Sequence, residues 1–451
     1  RCYSFFSEED VFLQEGLEAL ERARLCRSVV ERSENINEAL SALKKASRVI
    51  PISNLHSIFD QIDHLGCPDI SILLGLHYIE IMDPENLAFR RHINPNIQLN
   101  SDEHEICHQR ESTNSRLIES FALTGFDTEK TKLFVAENPS IDILALRARC
   151  LALVASSRDE LFHYRVYEWL LRNQYSQTLL EFPQSGFLFK YLKSTFLARD
   201  DLHRDLLWKW LARSCKYSEA SAVLASIAQC RDYPLSLSKR IEYLSLAITH
   251  CKSSALQSAR EHIFCAGIDG ISPIELSDLE ELLEVAHTQF EVLKEAKSLL
   301  GNRNEVVSAE LDGLVGLLTV SDLFNRYARP YGLTESCLRL IHISGLINER
   351  LVSQLWQEII SKYVIEGSDR SSFHQLGSKV TELARKFYPS PNAFPLAHLI
   401  DVLGRLALSS DIDADWLVAV LINSGIPLTA LADEFHRFFS SPPSKSWLAT
   451  S

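Results

Sequence analysis

The stretch LSDLEELLEVAHTQFEVLKEAKSLL, residues 276–300, decides the fold class. Leu279, Leu283, Ala286, Phe290, Leu293 and Leu300 follow one another by threes and fours, with one gap at Lys297. That spacing lays a single apolar stripe along a long helix. Ser277 with Glu280 three residues on has the pattern of a capping box, and Ser157 with Glu160 repeats it before LFHYRVYEWLL. Nowhere does a series of alternating β-branched segments bounded by hairpin turns occur. The expected class is all-α.

Outward from this helix, breakers recur at LGCPD (65–69), AENPS (136–140), EFPQSG (181–186), RDYPL (231–235), GIDGISP (267–273), YPSPNAFP (388–395) and NSGIP (423–427). They punctuate helices of roughly 10 to 25 residues. No fixed-period consensus repeats, so the expected architecture is an irregular α-solenoid of stacked antiparallel helix pairs, roughly 20 helices in all. We expect one continuous domain with an N-terminal part (1–155), a central part (156–315) and a C-terminal part (316–451). HINPNIQLNSDEHEICHQRESTNSR, 92–116, has few apolar residues and reads as a surface loop. YPSPNAFP reads as a stiff connection before the last helices.

Composition narrows the function. The chain has 451 residues, 46% of them hydrophobic, enough for a large core. Its net charge of −13 argues against nucleic-acid binding, which needs concentrated Lys and Arg, and the basic clusters Lys44-Lys45 and Arg90-Arg91-His92 are short. The most apolar run, SILLGLHYIEIM (71–82), is broken by His77 and Glu80 and falls short of the roughly 18 residues of a membrane span. RCYSFFSEEDVF has acids where a signal peptide needs an apolar core, and a start at Arg1 reads as part of a longer protein. Ten scattered cysteines without a C-x-x-C pair fit a reducing compartment, cytosol or nucleus, with each thiol a small buried hydrophobe.

HEICH, 104–108, fits H-E-x-x-H: on a helix His104 and His108 could share zinc, with Glu105 activating a bound water. The motif sits among Ser101, Asp102, Glu103, Gln109 and Arg110 rather than in an apolar core, and nothing singles out Glu111 or Glu119 as a third ligand. A zinc metallopeptidase is therefore a remote alternative. DIDAD, 411–415, begins like a calcium loop but has Trp416 where a glycine must turn and Ile422 where a bidentate glutamate belongs. It reads better as a helix start with acids at the positive end of the dipole. With no Walker loop, dinucleotide glycines or nucleophile elbow, no catalytic residue, metal or cofactor is expected. Trp169, Trp208, Trp210, Trp356 and Trp416 fall within helical periodicity and read as core.

One further layer comes from particular residues. LLWKWLARSCKYSEASAVLASIAQCRDYPLSLSKRIEYLSLAITHCKSS (206–254) pairs YSEASAVLASIA with SLSKRIEYLSLAI. Around it, in order, lie SSRDELFHYRVYEWLL (156–171), LEELLEVAHTQFEVL (279–293), LVSQLWQEII (351–360), FPLAHLIDVL (394–403) and DADWLVAVLINSGIPLTALADEF (413–435). On these segments the chain resembles the C-terminal helical domain of the nucleoporin-155/170 family, the large inner-ring scaffold proteins of the nuclear pore. FFSEEDVFLQEGLEALERAR near the start is similar in kind but less distinctive.

The resemblance implies a structural protein of the nuclear envelope that supports pore assembly and nucleocytoplasmic transport of protein and mRNA, without catalysis. Its implied partners are flexible linker nucleoporins, such as those with Gly-Leu-Phe-Gly repeats, and other inner-ring scaffold proteins. Membrane contact is implied for a β-propeller that this sequence lacks, and relatives continue past FFSSPPSKSWLATS (438–451). For the linker-binding groove we single out aromatics on the helices after about residue 320: Tyr327, Tyr331, Trp356 and Phe394. The rival among interaction proteins is a vesicle-coat or tethering solenoid.

Overall fold

In the computed structural model, residues 276–300 form one helix, Leu276–Leu300, inside an all-helical chain. The structure describes residues 7–440 except 27, 127–128, 140, 183–185, 199–202, 262–270, 272–273, 301–315, 365–369, 411 and 413–414. Among the described residues there are 22 α-helices, one π-helical segment (Leu323–Ala328) and no strand. The chain divides into two compact units, Arg1–Trp210 and Leu211–Ser451.

In the first unit helices pack on others near them in sequence: Glu8–Leu25 on Val29–Ala46, Ile52–His64 on Pro68–Met82, and Pro68–Met82 on Ser101–Ala122. Ser101–Ala122 also packs on Glu160–Arg172, which packs on Gly186–Leu197. At Gly75 the contact is so close that a Cβ would lie 2.5 Å from Leu117 Cδ2, so any larger residue there would force the Leu117 side chain to move. In the second unit the order is Tyr217–Gln229, Leu237–Glu261, Leu276–Leu300, Thr334–Ser344, Glu349–Tyr363 and Arg370–Phe387. The last of these packs on Asp415–Asn423, and Leu396–Ser409 packs on Leu428–Ser440. Trp210 and Trp356 are buried as expected, and Trp169 stands edge-on to Phe121 and Phe126.

The expected loop at 92–116 is corrected: it is helical from Ser101, after a short Leu87–Ile93 helix. Asn100 and Glu103 make the capping box, each side chain accepting from the other's backbone N–H at 2.8 Å. The inward stripe of this helix is Cys107, Arg110, Thr113, Asn114 and Leu117, all buried. Its period is helical but its chemistry is polar, so hydropathy alone conceals it. Thr113 Oγ1 donates to Gln109 O at 2.8 Å, the Asn114 amide has no hydrogen-bond partner among the described residues, and Arg110 is paired. Its guanidinium bonds Asp83 and, at 2.7 Å, Asp159. Both carboxylates cap other helices, Asp83 accepting from Leu87 N and Ala88 N, and Asp159 from Phe162 N.

Both expected caps also shift. Ser277 lies inside the first turn, since the helix begins at Leu276. The helix after Ser157 is capped by Asp159, whose own N–H donates to Ser157 Oγ at 3.1 Å. On the 276–300 stripe, Phe290 is exposed and Gln289 is buried in its place. The reason is a tether: Gln289 Nε2 donates to Gly316 O, and its Oε1 accepts from Leu318 N, each at 2.9 Å. The side chain of Leu300 and most of DIDAD lie outside the described residues, although Asp415 does start a helix.

In the segment 206–254, Arg240 is fully buried and donates to the carbonyls of Ala228 (2.6 Å), Cys230 (2.7 Å) and Tyr233 (2.9 Å). A cation here closes the C-terminal end of the Tyr217–Gln229 helix, where the dipole is negative.

His163, also fully buried, has Nε2 donating to Ser157 O at 3.1 Å and Nδ1 at 2.9 Å from the Tyr167 hydroxyl. The neutral ring is thus satisfied at both nitrogens. Burial pushes its pKa below the ordinary 6.5, with the Ser157 carbonyl and Asp159 pulling the other way. The unfolded chain therefore takes up this proton at higher pH than the folded one. The resulting stability is fully present above pH ~6.5 and is lost as pH falls through the folded value. Urea unfolding at pH 7.5 and 5.5 is expected to show a smaller acid-induced loss in His163→Gln than in the unaltered chain. An equal loss in both would place the acid sensitivity elsewhere.

Candidate partner-binding cleft

The Thr334–Ser344 helix ends at Gly345, whose φ of +63° is the left-handed conformation that glycine adopts without strain. The chain then exposes Leu346 and Ile347 before Asn348 starts the Glu349–Tyr363 helix, its side chain accepting from Leu351 N at 3.1 Å. Against this helix lies the turn 388–395, joined to it across 37 residues of chain by a bond from Trp356 to Ala393. Trp356, 1% exposed, donates Nε1–H to Ala393 O at 2.9 Å and stands edge-on to Phe394, ring centroids 5.5 Å apart. Tyr388 is also edge-on to Phe394, at 6.3 Å. The Tyr388–Pro389 peptide is cis.

Between these elements lies a cleft of about 1140 Å³. One wall is Ile347 to Arg350 with Gln354 and Gln357, the other is Tyr388, Pro389, Pro391, Phe394 and Pro395. The first turn of Leu396–Ser409 and Glu434 close it. Burial pushes His398 at this end below the ordinary imidazole value, with Asp401 opposing, which keeps the ring neutral at pH 7. Glu434 is held by Arg437 at 2.8 Å. A trough with proline and aromatic walls and a few polar groups at its rim is suited to an extended peptide carrying apolar side chains.

Of the four aromatics singled out from the sequence, Phe394 lines the cleft and Trp356 lies beneath its wall. Tyr327 and Tyr331 are half-buried against the core of the second unit and are not among the cleft's lining residues. Ile347, Pro389, Pro391 and Pro395 line the cleft without standing out in the sequence as binding residues. A signal for the prolines is present in YPSPNAFP, where three of them give one wall its stiffness.

The histidine motif meets a different fate. His104 and His108 do lie one turn apart on a helix, but both face solvent, as does Glu105, which accepts from Gln109 at 2.9 Å. Arg91 Nη1 lies 3.4 Å from His104 Nδ1, and a cation at the ring opposes a metal there. Among the described residues no group of three or more His, Cys, Asp or Glu side chains is arranged to hold a metal ion, and no helix is long and apolar enough to cross a membrane.

Known proteins resemble this chain along nearly its whole length. A family model described as non-repetitive/WGA-negative nucleoporin C-terminal matches residues 1–449. A probable nucleoporin, C890.06 of Schizosaccharomyces pombe, is 26% identical over 436 residues, covering 94% of this chain and 31% of the relative. The nuclear pore complex protein Nup154 of Drosophila melanogaster is 23% identical over 97% of this chain and 32% of its own length. The chain thus spans about a third of these curated relatives. Among solved structures, the Nup170 C-terminal domain of Chaetomium thermophilum shares the fold with a TM-score of 0.71 at 20% identity, over 95% of this chain and 80% of that one. The same domain in a Nup170–Nup145N complex gives 0.70 at 21% identity, over 95% and 85%. With residues 1–449 matched, this chain belongs to the non-repetitive/WGA-negative nucleoporin C-terminal family.

Proposed function

We propose that this chain is a non-enzymatic scaffold module of the inner ring of the nuclear pore, working at the nuclear envelope by binding segments of other nucleoporins. The family match over residues 1–449 carries this reading. The cleft beside 388–395 supplies a place for the contact, and the Chaetomium domain's complex with Nup145N is a relative's instance of such a pairing. The partner we favour is a linker nucleoporin with Gly-Leu-Phe-Gly repeats, with other inner-ring scaffold proteins as neighbours and membrane contact left to a propeller outside this chain.

The mechanism is additive recognition. An extended segment lies in the cleft, Ile347, Pro389, Pro391 and Pro395 receive its apolar side chains over a wall backed by Phe394, and each well-buried anchor contributes ~2 kcal/mol or more. Several such weak sites joined by linkers raise avidity by ~10²–10⁴. Of the four aromatics, Tyr327 and Tyr331 would serve a second contact outside the cleft, and Trp356 acts through the wall it supports. The acidic surface favours basic or neutral segments over bare nucleic acid.

The test is to tag the full-length protein at its own locus, then image it and identify what co-purifies. A nuclear rim with inner-ring nucleoporins is the expected result. Cytoplasmic puncta with vesicle-coat subunits would instead establish the rival solenoid.

A further inference from the structure

We propose that Asn392 is a positioning residue for the bound segment: its Nδ2 donates to Gly345 O at 3.1 Å, across 47 residues of chain, and holds the two walls of the cleft at a fixed separation. The inference rests on the cleft being the partner site.

The walls differ in how they are held. The 388–395 wall is built in. Trp356 bonds Ala393 O from beneath, Ser390 N donates to Phe387 O at 2.8 Å, and Phe394 N donates to Ser390 O at 2.9 Å. Ala393 and Phe394 are buried in the core of the second unit. The facing segment, 345–348, has much less. Beyond the glycine itself and its chain neighbours, no heavy atom of the described residues lies within 4 Å of where a Cβ on Gly345 would sit, and Leu346 and Ile347 are 48% and 78% exposed. Locally, Leu346 N meets Ser344 Oγ at 3.3 Å.

A glycine in the left-handed region followed by two solvent-facing side chains is a segment with several conformations within reach. Asn392 selects the one in which Ile347 stands over the cleft. It makes this selection from the rigid wall, so the separation is set before any partner arrives. Ile347 then supplies apolar contact and Asn392 supplies the geometry. If the tie is removed, only part of the population has the competent arrangement, and apparent affinity falls by that fraction. One hydrogen bond of ordinary net strength corresponds to a loss of roughly two- to tenfold.

The test measures association and dissociation rates of synthetic peptides tiling the linker region of a Gly-Leu-Phe-Gly nucleoporin. Four proteins are compared: the unaltered chain, Asn392→Ala, Asn392→Asp and Ile347→Asp. The Asn392→Asp change keeps the shape of the side chain without the donor. Melting temperature and amide exchange at 345–348 are recorded alongside. Both Asn392 variants are expected to melt with the unaltered chain, to exchange faster at 345–348, and to bind roughly two- to tenfold more weakly, chiefly through slower association. Normal binding by both, with binding abolished in Ile347→Asp, overturns the role of Asn392 and leaves the cleft standing. A fall in melting temperature that tracks the loss of binding overturns it too, by making Asn392 merely structural. If Ile347→Asp binds as well as the unaltered chain, or no peptide binds any of the four, the cleft reading itself fails and this inference with it.

Discussion

Trp356→Ala is expected to lower the stability of the second unit by about 3–5 kcal/mol, the range for removing a large aromatic side chain from a packed core. The indole is 1% exposed, packs edge-on to Phe394 and donates to the carbonyl of Ala393, a residue with no exposed surface. Alanine leaves a cavity and an unpaired carbonyl together. Trp356→Phe separates the two effects, since most of the volume stays and the N–H goes. It is expected to cost about 1–3 kcal/mol, the range for a buried polar group left unsatisfied. Urea unfolding of both variants measures the difference. A cost below about 1 kcal/mol for the alanine variant would mean that the 388–395 turn does not depend on this side chain. Folded Trp356→Phe is expected to keep partner binding, because the tryptophan supports the cleft from outside it.

The second large effect lies in the first unit. Arg110→Ala is expected to cost about 3–5 kcal/mol, because removing one member of a buried ion cluster leaves its partners charged and unpaired. The Arg110 side chain is 1% exposed, those of Asp83 and Asp159 0% and 11%. The arginine also donates to Asn86 Oδ1 at 3.1 Å, so one guanidinium ties the starts of the Leu87–Ile93 and Glu160–Arg172 helices to the Ser101–Ala122 helix. Arg110→Met combined with Asp83→Asn and Asp159→Asn tests the cause. The asparagines can still cap their helices but carry no charge. The triple variant is expected to recover much of the stability that the single variant loses. If single and triple variants unfold at the same urea concentration, charge is not what Arg110 contributes.

These two sites also mark how far sequence reading reaches. The helical class follows from period alone, and the 276–300 stripe shows it even though Gln289 occupies the core in place of Phe290. Period says how often a residue returns to the core; it does not say that a polar residue there has found its partners. That is why 101–116 reads as a loop. Its inward face carries Arg110, Thr113 and Asn114, and the aspartates that make Arg110 tolerable lie 27 and 49 residues away in sequence. Caps shift for a related reason. Ser157 is close to a stronger candidate, Asp159, and local spacing does not rank the two.

The candidate cleft is half legible in the sequence. Aromatic residues draw attention to Phe394 and Trp356, but the walls are made by the exposed residues after a glycine turn and by prolines, residues usually read as punctuation. Tyr327 and Tyr331 are aromatic like Phe394 and lie away from the cleft, since composition carries no information about which loops fold together. Family membership is legible for the opposite reason: it is spread over many core positions, none of which marks a binding site.

The most direct test is isothermal titration of this chain with linker segments from a Gly-Leu-Phe-Gly nucleoporin, repeated with Ile347→Asp. Saturable binding that disappears in the variant, at an unchanged melting temperature, is the expected result. Binding that survives the aspartate undiminished would contradict the cleft as the partner site.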